Sequence, residues 1–128
     1  MIIDSSVVAA VCLGEDDAAI YRDVLELAGD LRMSAATYLE AAIVLDARRS
    51  GSIDAFVQGL GVDVVPVDKQ QADLARLAYR TFGRGSGHPA SLNFGDCFAY
   101  ALARTFDEPL LFKGGDFSRT DVRPALPA

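Results

Sequence analysis

One histidine and two cysteines leave this 128-residue chain without a His/Cys cluster of the kind that binds zinc. Cys12 and Cys97 stand in apolar, helix-like surroundings with no metal-binding spacing, so both are expected as reduced, buried thiols. No apolar run approaches the length of a membrane span. Met1-Ile2-Ile3 runs straight into Asp4, which lacks the basic start and cleavage site of a secretory signal, so a cytoplasmic protein is expected. Basic charge is also scarce. Twelve Lys and Arg face 18 Asp and Glu, a net charge of −6. That opposes simple electrostatic capture of nucleic acid, although bound cations reverse the sign locally and a basic partner would be welcome. With no internal repeat, low-complexity segment or linker, residues 1–128 are expected to form one domain large enough to bury its own core.

What remains is an alternation of short apolar runs and helical patterns. Ile2-Ile3 predicts a buried strand ending at Asp4, followed directly by a helix from Ser5 that Gly14 stops. Glu15 to Ala28 predicts a second helix with Ala19, Ile20, Val24, Leu27 and Ala28 facing inward. Leu31 to Ser34 predicts a strand, and Ser34 or Thr37 caps a helix reaching about Arg49. Ser52 caps a short helix through Phe56 and Val57 that Gly59 closes. Val62 to Val67 is β-branched, with Pro66 suited to a strand end or edge. Asp68 to Gln71 resembles a capping box, opening a helix with Ala72, Ala75, Ala78, Tyr79 and Phe82 on one face. Gly83 to Pro89 predicts a flexible loop, in which His88 is solvent-exposed rather than catalytic. Pro109 to Phe112 predicts a further buried strand, and the tail has room for one more near Val122. Strands alternating with helices predict an α/β fold with a mostly parallel sheet covered on both faces.

The stretch from Asn93 to Ala103 carries the most information. From Phe94 onward it is almost wholly apolar or small, as in a buried helix, yet Asp96 lies in its first turn. Asn93 is suited to cap that helix, and the helix dipole favours a negative charge at its start. Asp96 therefore has two readings, a helix-end charge or a metal ligand. Three more acids share this ambiguity. Asp4 ends the first strand or caps the next helix. Glu40 follows Thr37 at capping-box spacing, and Asp116 follows Gly114-Gly115 as a turn residue would. In open α/β sheets ligands bind beyond the carboxyl ends of strands, where all four could converge. Four carboxylates at one place repel unless a hard cation holds them, and oxygen ligands alone suit Mg²⁺ or Mn²⁺. Phosphodiester hydrolysis is the chemistry such a site performs.

These residues also carry a family resemblance. Met1-Ile2-Ile3-Asp4-Ser5-Ser6, Ser34 to Glu40, Leu92 to Ala103 and Leu111 to Phe117 make the chain similar, essentially end to end, to PIN-domain ribonucleases of the VapC toxin type. The resemblance implies a three-layer α/β/α sandwich on a short, mostly parallel sheet of four to five strands. It places the family's acidic quartet on Asp4, Glu40, Asp96 and Asp116, with Mg²⁺ (or Mn²⁺) held chiefly by Asp4 and Asp96. Glu40 and Asp116 would complete the site directly or through water, with Ser6 and Asn93 as supporting polar residues. It further implies an RNA substrate, a homodimer, and inhibition by a VapB-type antitoxin whose tail enters the active-site groove. Lys113, Arg84 and Arg119 are candidate contacts to the RNA backbone. Two other readings stand beside it. One is a phospho-receiver signalling domain, which would need an acceptor aspartate near Asp68 and paired acids where Ser5 and Ser6 follow Asp4. The other is a PIN scaffold that binds RNA without cutting it.

Overall fold

Ile2 and Ile3 are neighbours in one strand and both fully buried, yet they belong to different cores. Successive side chains of a strand point to opposite faces, so a strand apolar at both positions needs cover on both sides. The computed structural model, which describes residues 1–127, supplies that cover. Strand β1 (Ile2–Ile3) leads into α1 (Ser5–Leu13) and α2 (Ala18–Leu27). Then follow β2 (Arg32–Ser34), α3 (Ala35–Arg48), α4 (Ser52–Leu60), β3 (Asp63–Val65), α5 (Lys69–Phe82), α6 (Phe94–Phe106) and β4 (Leu110–Leu111). A 3₁₀ turn over Phe117–Arg119 comes after the last strand. The four strands pair in the order β3-β2-β1-β4, all parallel, with Ile2 opposite both Arg32 and Leu110.

The same alternation runs through β4. Ile3, Met33 and Leu111 join Val7, Val8, Leu25, Leu45 and Phe56 in a core beneath α1–α4. Ile2 and Leu110 join Leu92, Cys97, Tyr100, Leu102 and Phe117 in a second core beneath α5 and α6. Each fully buried aliphatic or aromatic side chain contributes roughly 1.5–3 kcal/mol, so two such layers stabilise strands only two or three residues long. This is the expected three-layer α/β/α sandwich, with four strands. The chain winds outward from β1 through β2 to β3, then returns to place β4 on the other side of β1. That reversal opens a crevice at the carboxyl ends of β1 and β4.

Several local expectations need correction. Helix α2 begins at Ala18, and it buries Ala18, Tyr21 and Leu25 while Ile20 and Leu27 are exposed. Gly51, with a left-handed φ of 83°, occupies the position before α4 instead of a Ser52 cap, and Gly61 rather than Gly59 ends that helix. On α5, Ala75 and Ala78 face inward as expected, but Ala72 and Tyr79 are exposed. The 83–89 loop is pinned by hydrogen bonds. Ser86 Oγ donates to the Gly83 carbonyl at 2.6 Å, and His88 Nδ1 accepts from the Ala90 amide at 3.1 Å. His88 is half-buried, its ring edge-on to Phe82 at 4.9 Å between centroids. Near Val122 the tail makes a single parallel bridge, Leu110 to Pro124, in place of a strand. Cys97 is buried and Cys12 half-buried, both as free thiols. Among the described residues no helix is long and apolar enough to cross a membrane.

Candidate active site

Asp4 leaves the end of β1 and turns back over the helix that follows. Its backbone amide donates to the Leu111 carbonyl at 3.0 Å, which ties it to the end of β4. Its Oδ2 accepts from the Ser6 amide at 3.1 Å and the Ser6 hydroxyl at 2.6 Å, so Asp4 is the N-cap of α1. The Ser6 hydroxyl in turn accepts from the Lys113 amide at 3.0 Å. Asp4 is 5% exposed, and burial raises its carboxyl above the ordinary value, with the Ser6 hydrogen bonds opposing the rise.

Asp96 is fixed by a complete capping box. Asn93 Oδ1 accepts from the Asp96 amide at 2.9 Å, and Asp96 Oδ2 accepts from the Asn93 amide at 3.0 Å. Such a cap is worth about 1 kcal/mol to the helix. Below it Cys97 and Ala99 to Ala103 are buried, so the carboxylate stands on a rigid post. Burial is the largest cause pushing the Asp96 carboxyl up to about 6; the Asn93 hydrogen bond opposes it, and the nearby charges of Asp4, Asp116 and Glu40 add to it.

Glu40 is not the end of a capping box. Ser34 caps α3 through the Ala36 amide, while Thr37 lies inside the helix with its hydroxyl buried and unpartnered. Glu40 instead reaches across to accept from the Ser5 hydroxyl at 2.7 Å. Asp116 comes after the turn at Gly114, whose φ of 95° lets the chain double back after β4. It makes no side-chain cap to the 3₁₀ turn it precedes.

All four acids line one open pocket of about 440 Å³ at the crevice, with Ser5, Ser6, Asn93, Lys113 and Phe117. Among the described residues no three His, Cys, Asp or Glu side chains stand close enough to hold an ion as they are turned here. Asp4, Asp96 and Glu40 each point one oxygen at a protein donor. Lys113 lines the same pocket, but its ammonium is shared by Glu15 at 2.7 Å and Asp17 at 3.1 Å, which raises its pKa. Arg84 and Arg119 do not line it; Arg119 donates to the Pro89 carbonyl. Ser5 is a polar member that sequence reasoning passed over, as it did Gly95, which lies against the Glu40 carboxyl. Asp68, where a phospho-receiver would need its acceptor, spends its carboxylate on the Gln71 amide as the cap of α5.

Comparison with known proteins identifies the family. Residues 1–123 match the family model described as the PIN domain. The chain is 53% identical to Ribonuclease VapC28 of Mycobacterium tuberculosis, covering 98% of both chains. It is 45% identical to Ribonuclease VapC42 of that organism over 98% of both, and 45% identical to its Ribonuclease VapC30 over 99% of this chain and 100% of the other. Among solved structures it superposes on M. tuberculosis VapC20, titled a sarcin–ricin loop cleaving toxin, with a TM-score of 0.71. That match has 22% identity and covers 96% of this chain and 98% of the other, so it speaks for the fold. An all-parallel four-stranded sandwich with four acids at its switch point, matched from end to end by these relatives, belongs to the PIN-domain family, among the VapC ribonucleases.

Proposed function

We propose that this protein is the toxin of a toxin–antitoxin pair and an endoribonuclease that hydrolyses RNA with a divalent cation, Mg²⁺ or Mn²⁺. The observation that carries the chemistry is the convergence of Asp4, Glu40, Asp96 and Asp116 on one pocket. The donor set fits a hard cation. It is carboxylate oxygen throughout, and the charges of Asp4, Asp116 and Glu40 raise the proton affinity of Asp96, as Glu40 does that of Asp4, a repulsion that a cation relieves. Asp4 and Asp96 would hold the ion, with Glu40 and Asp116 completing the site directly or through water. When bound, the cation polarises the phosphate and lowers the pKa of a water beside it.

The chain's own residues set the stage for that step. Ser6 and Asn93 fix the rotamers of Asp4 and Asp96. Glu40 Oε1, which accepts from Ser5, is suited to take a proton from the attacking water, and Asp116 to orient it. The helix starts of α1 and α6 add positive dipole ends to a pocket that must accept phosphate.

The partners follow from the same surface. Among the described residues, the one cation lining the pocket is Lys113, already paired with Glu15 and Asp17, so the pocket suits a basic residue from a VapB-type antitoxin. Leu39 and Ile43, four residues apart on α3, are each more than half exposed. A homodimer would cover this apolar stripe. The activity is tested by incubating purified protein with RNA, with and without Mg²⁺ or Mn²⁺. Cleavage should require the ion and vanish in Asp4→Asn and Asp96→Asn. Full activity in Asp96→Asn protein free of contaminating nuclease would overturn the reading.

A further inference from the structure

Helix α6 carries a glycine where helical propensity favours almost any other residue. Gly95 is its second residue, between Phe94 and Asp96, and a glycine inside a helix costs about 0.5–1 kcal/mol relative to alanine. Its backbone φ is not left-handed, so no turn requires it. Its surroundings do. A Cβ built on Gly95 would overlap Glu40 Oε2 and stand 2.8 Å from Glu40 Cδ and 3.0 Å from Oε1. The Glu40 carboxyl therefore lies directly on the backbone of the first turn of α6. Only one other glycine is crowded in this way, and there the obstacle is the carbonyl and ring of Tyr79 against Gly83, a matter of the fold alone.

We propose that Gly95 is a positioning residue of the active site: its missing side chain is the space through which Glu40 of α3 reaches the pocket beside Asp4 and Asp96. This rests on the reading of Glu40 as a site carboxylate. The atoms that a methyl group would displace are the far end of a flexible, exposed side chain, so the fold yields at little cost and Glu40 swings outward. Alanine also suits the second position of a helix better than glycine. Stability and function therefore move in opposite directions on one substitution, which a merely structural glycine would not do.

The test compares wild type, Gly95→Ala, Glu40→Ala, Glu40→Asp and the double variant Gly95→Ala/Glu40→Asp. Three readouts are needed: cleavage of an RNA oligonucleotide, Mn²⁺ binding by calorimetry, and the thermal midpoint. Gly95→Ala should melt no lower than wild type yet lose about tenfold or more in Mn²⁺ affinity and in kcat/KM, the scale on which groups that orient ligands act. Glu40→Asp is one methylene shorter. It should weaken the wild-type protein but recover part of the loss in the Gly95→Ala background. Wild-type binding and cleavage in Gly95→Ala, with both lost in Glu40→Ala, would overturn the role of Gly95. So would a lowered midpoint with no rescue by the shorter acid. Undiminished binding and cleavage in Glu40→Ala would instead remove the reading of Glu40 on which the proposal stands.

Discussion

The Ser6 hydroxyl donates to Asp4 Oδ2 at 2.6 Å while accepting from the Lys113 amide at 3.0 Å. One small side chain thus holds a buried carboxylate and the chain beyond β4 in register, at the reversal of strand order. Two elements far apart in sequence meet at a single hydroxyl, which donates to one and accepts from the other. Ser6→Ala is expected to leave the Lys113 amide without that partner and Asp4 with one donor fewer, at a cost of about 1–3 kcal/mol. RNA cleavage should fall more than stability does, because both ends of the pocket lose their alignment. Chemical denaturation and cleavage rates measured on one preparation would check this; equal activity in the two proteins would contradict it.

The Asp96 carboxyl, pushed up to about 6 from an unfolded value of 3.8, holds its proton more tightly in the fold than in the open chain. Between those values the folded state binds more protons, so the metal-free protein loses stability as pH rises through the window, and the loss persists above it. Asp96→Asn keeps an acceptor for the Asn93 amide but removes the charge. It should therefore stabilise the metal-free protein near neutral pH, by on the order of 1 kcal/mol after discounting for partial exposure. The gain should fade below about pH 4, where Asp96 is neutral in either state. Urea midpoints for both proteins at acid and neutral pH, in chelator, provide the measurement. A less stable Asn variant near neutral pH would contradict the assignment.

Which parts of this arrangement were legible in the chain follows from the range over which each signal acts. The cap at Asn93 and the glycine stop at Gly14 are local patterns that form as expected, and Asp68 caps α5, although Gln71 Nε2 turns to the Pro66 carbonyl instead of closing the box. The convergence of Asp4 and Asp116 was legible through topology, because acids at the ends of adjacent parallel strands share one edge. The inward face of α2 was not. Ala18, Ala19, Ile20 and Tyr21 are apolar in succession, and the choice among them depends on where α1 lies, which no periodicity within α2 records. Thr37 and Glu40 have the spacing of a capping box, but Ser34 had already taken the cap, freeing Glu40 to cross to Ser5. The fit of Glu40 against Gly95 joins two helices from different crossovers, and neither segment alone hints at it.

The turn that presents Asp116 contains two glycines with different duties. Gly114 has a φ of 95°, a conformation that side chains rarely adopt, whereas Gly115 has no left-handed φ and open space where a Cβ would stand. Gly114→Ala is expected to cost about 1 kcal/mol and to lower cleavage by displacing Asp116. Gly115→Ser should leave both unchanged. Parallel thermal melts and cleavage assays of the two variants would distinguish them, and equal tolerance at both positions would show that the turn does not hold Asp116.

Lys113 faces a choice between touching RNA and bracing the site. Its ammonium is shared by Glu15 and Asp17 of the α1–α2 connection, and its amide is bound to Ser6, so both ends of the residue tie the chain after β4 to the start of the fold. A brace acts on the chemical step; a backbone contact acts on substrate affinity. Lys113→Ala is therefore expected to lower kcat while shifting KM for RNA by no more than about threefold. The Glu15→Gln/Asp17→Asn pair, which releases the ammonium without removing it, should reproduce the loss. Were Lys113 an RNA contact, freeing it would leave KM unchanged or improve it, and only Lys113→Ala would raise KM. Steady-state kinetics of the three proteins on one oligonucleotide, repeated at two ionic strengths, separate the outcomes, because exposed ion pairs weaken with salt while the amide–Ser6 bond does not.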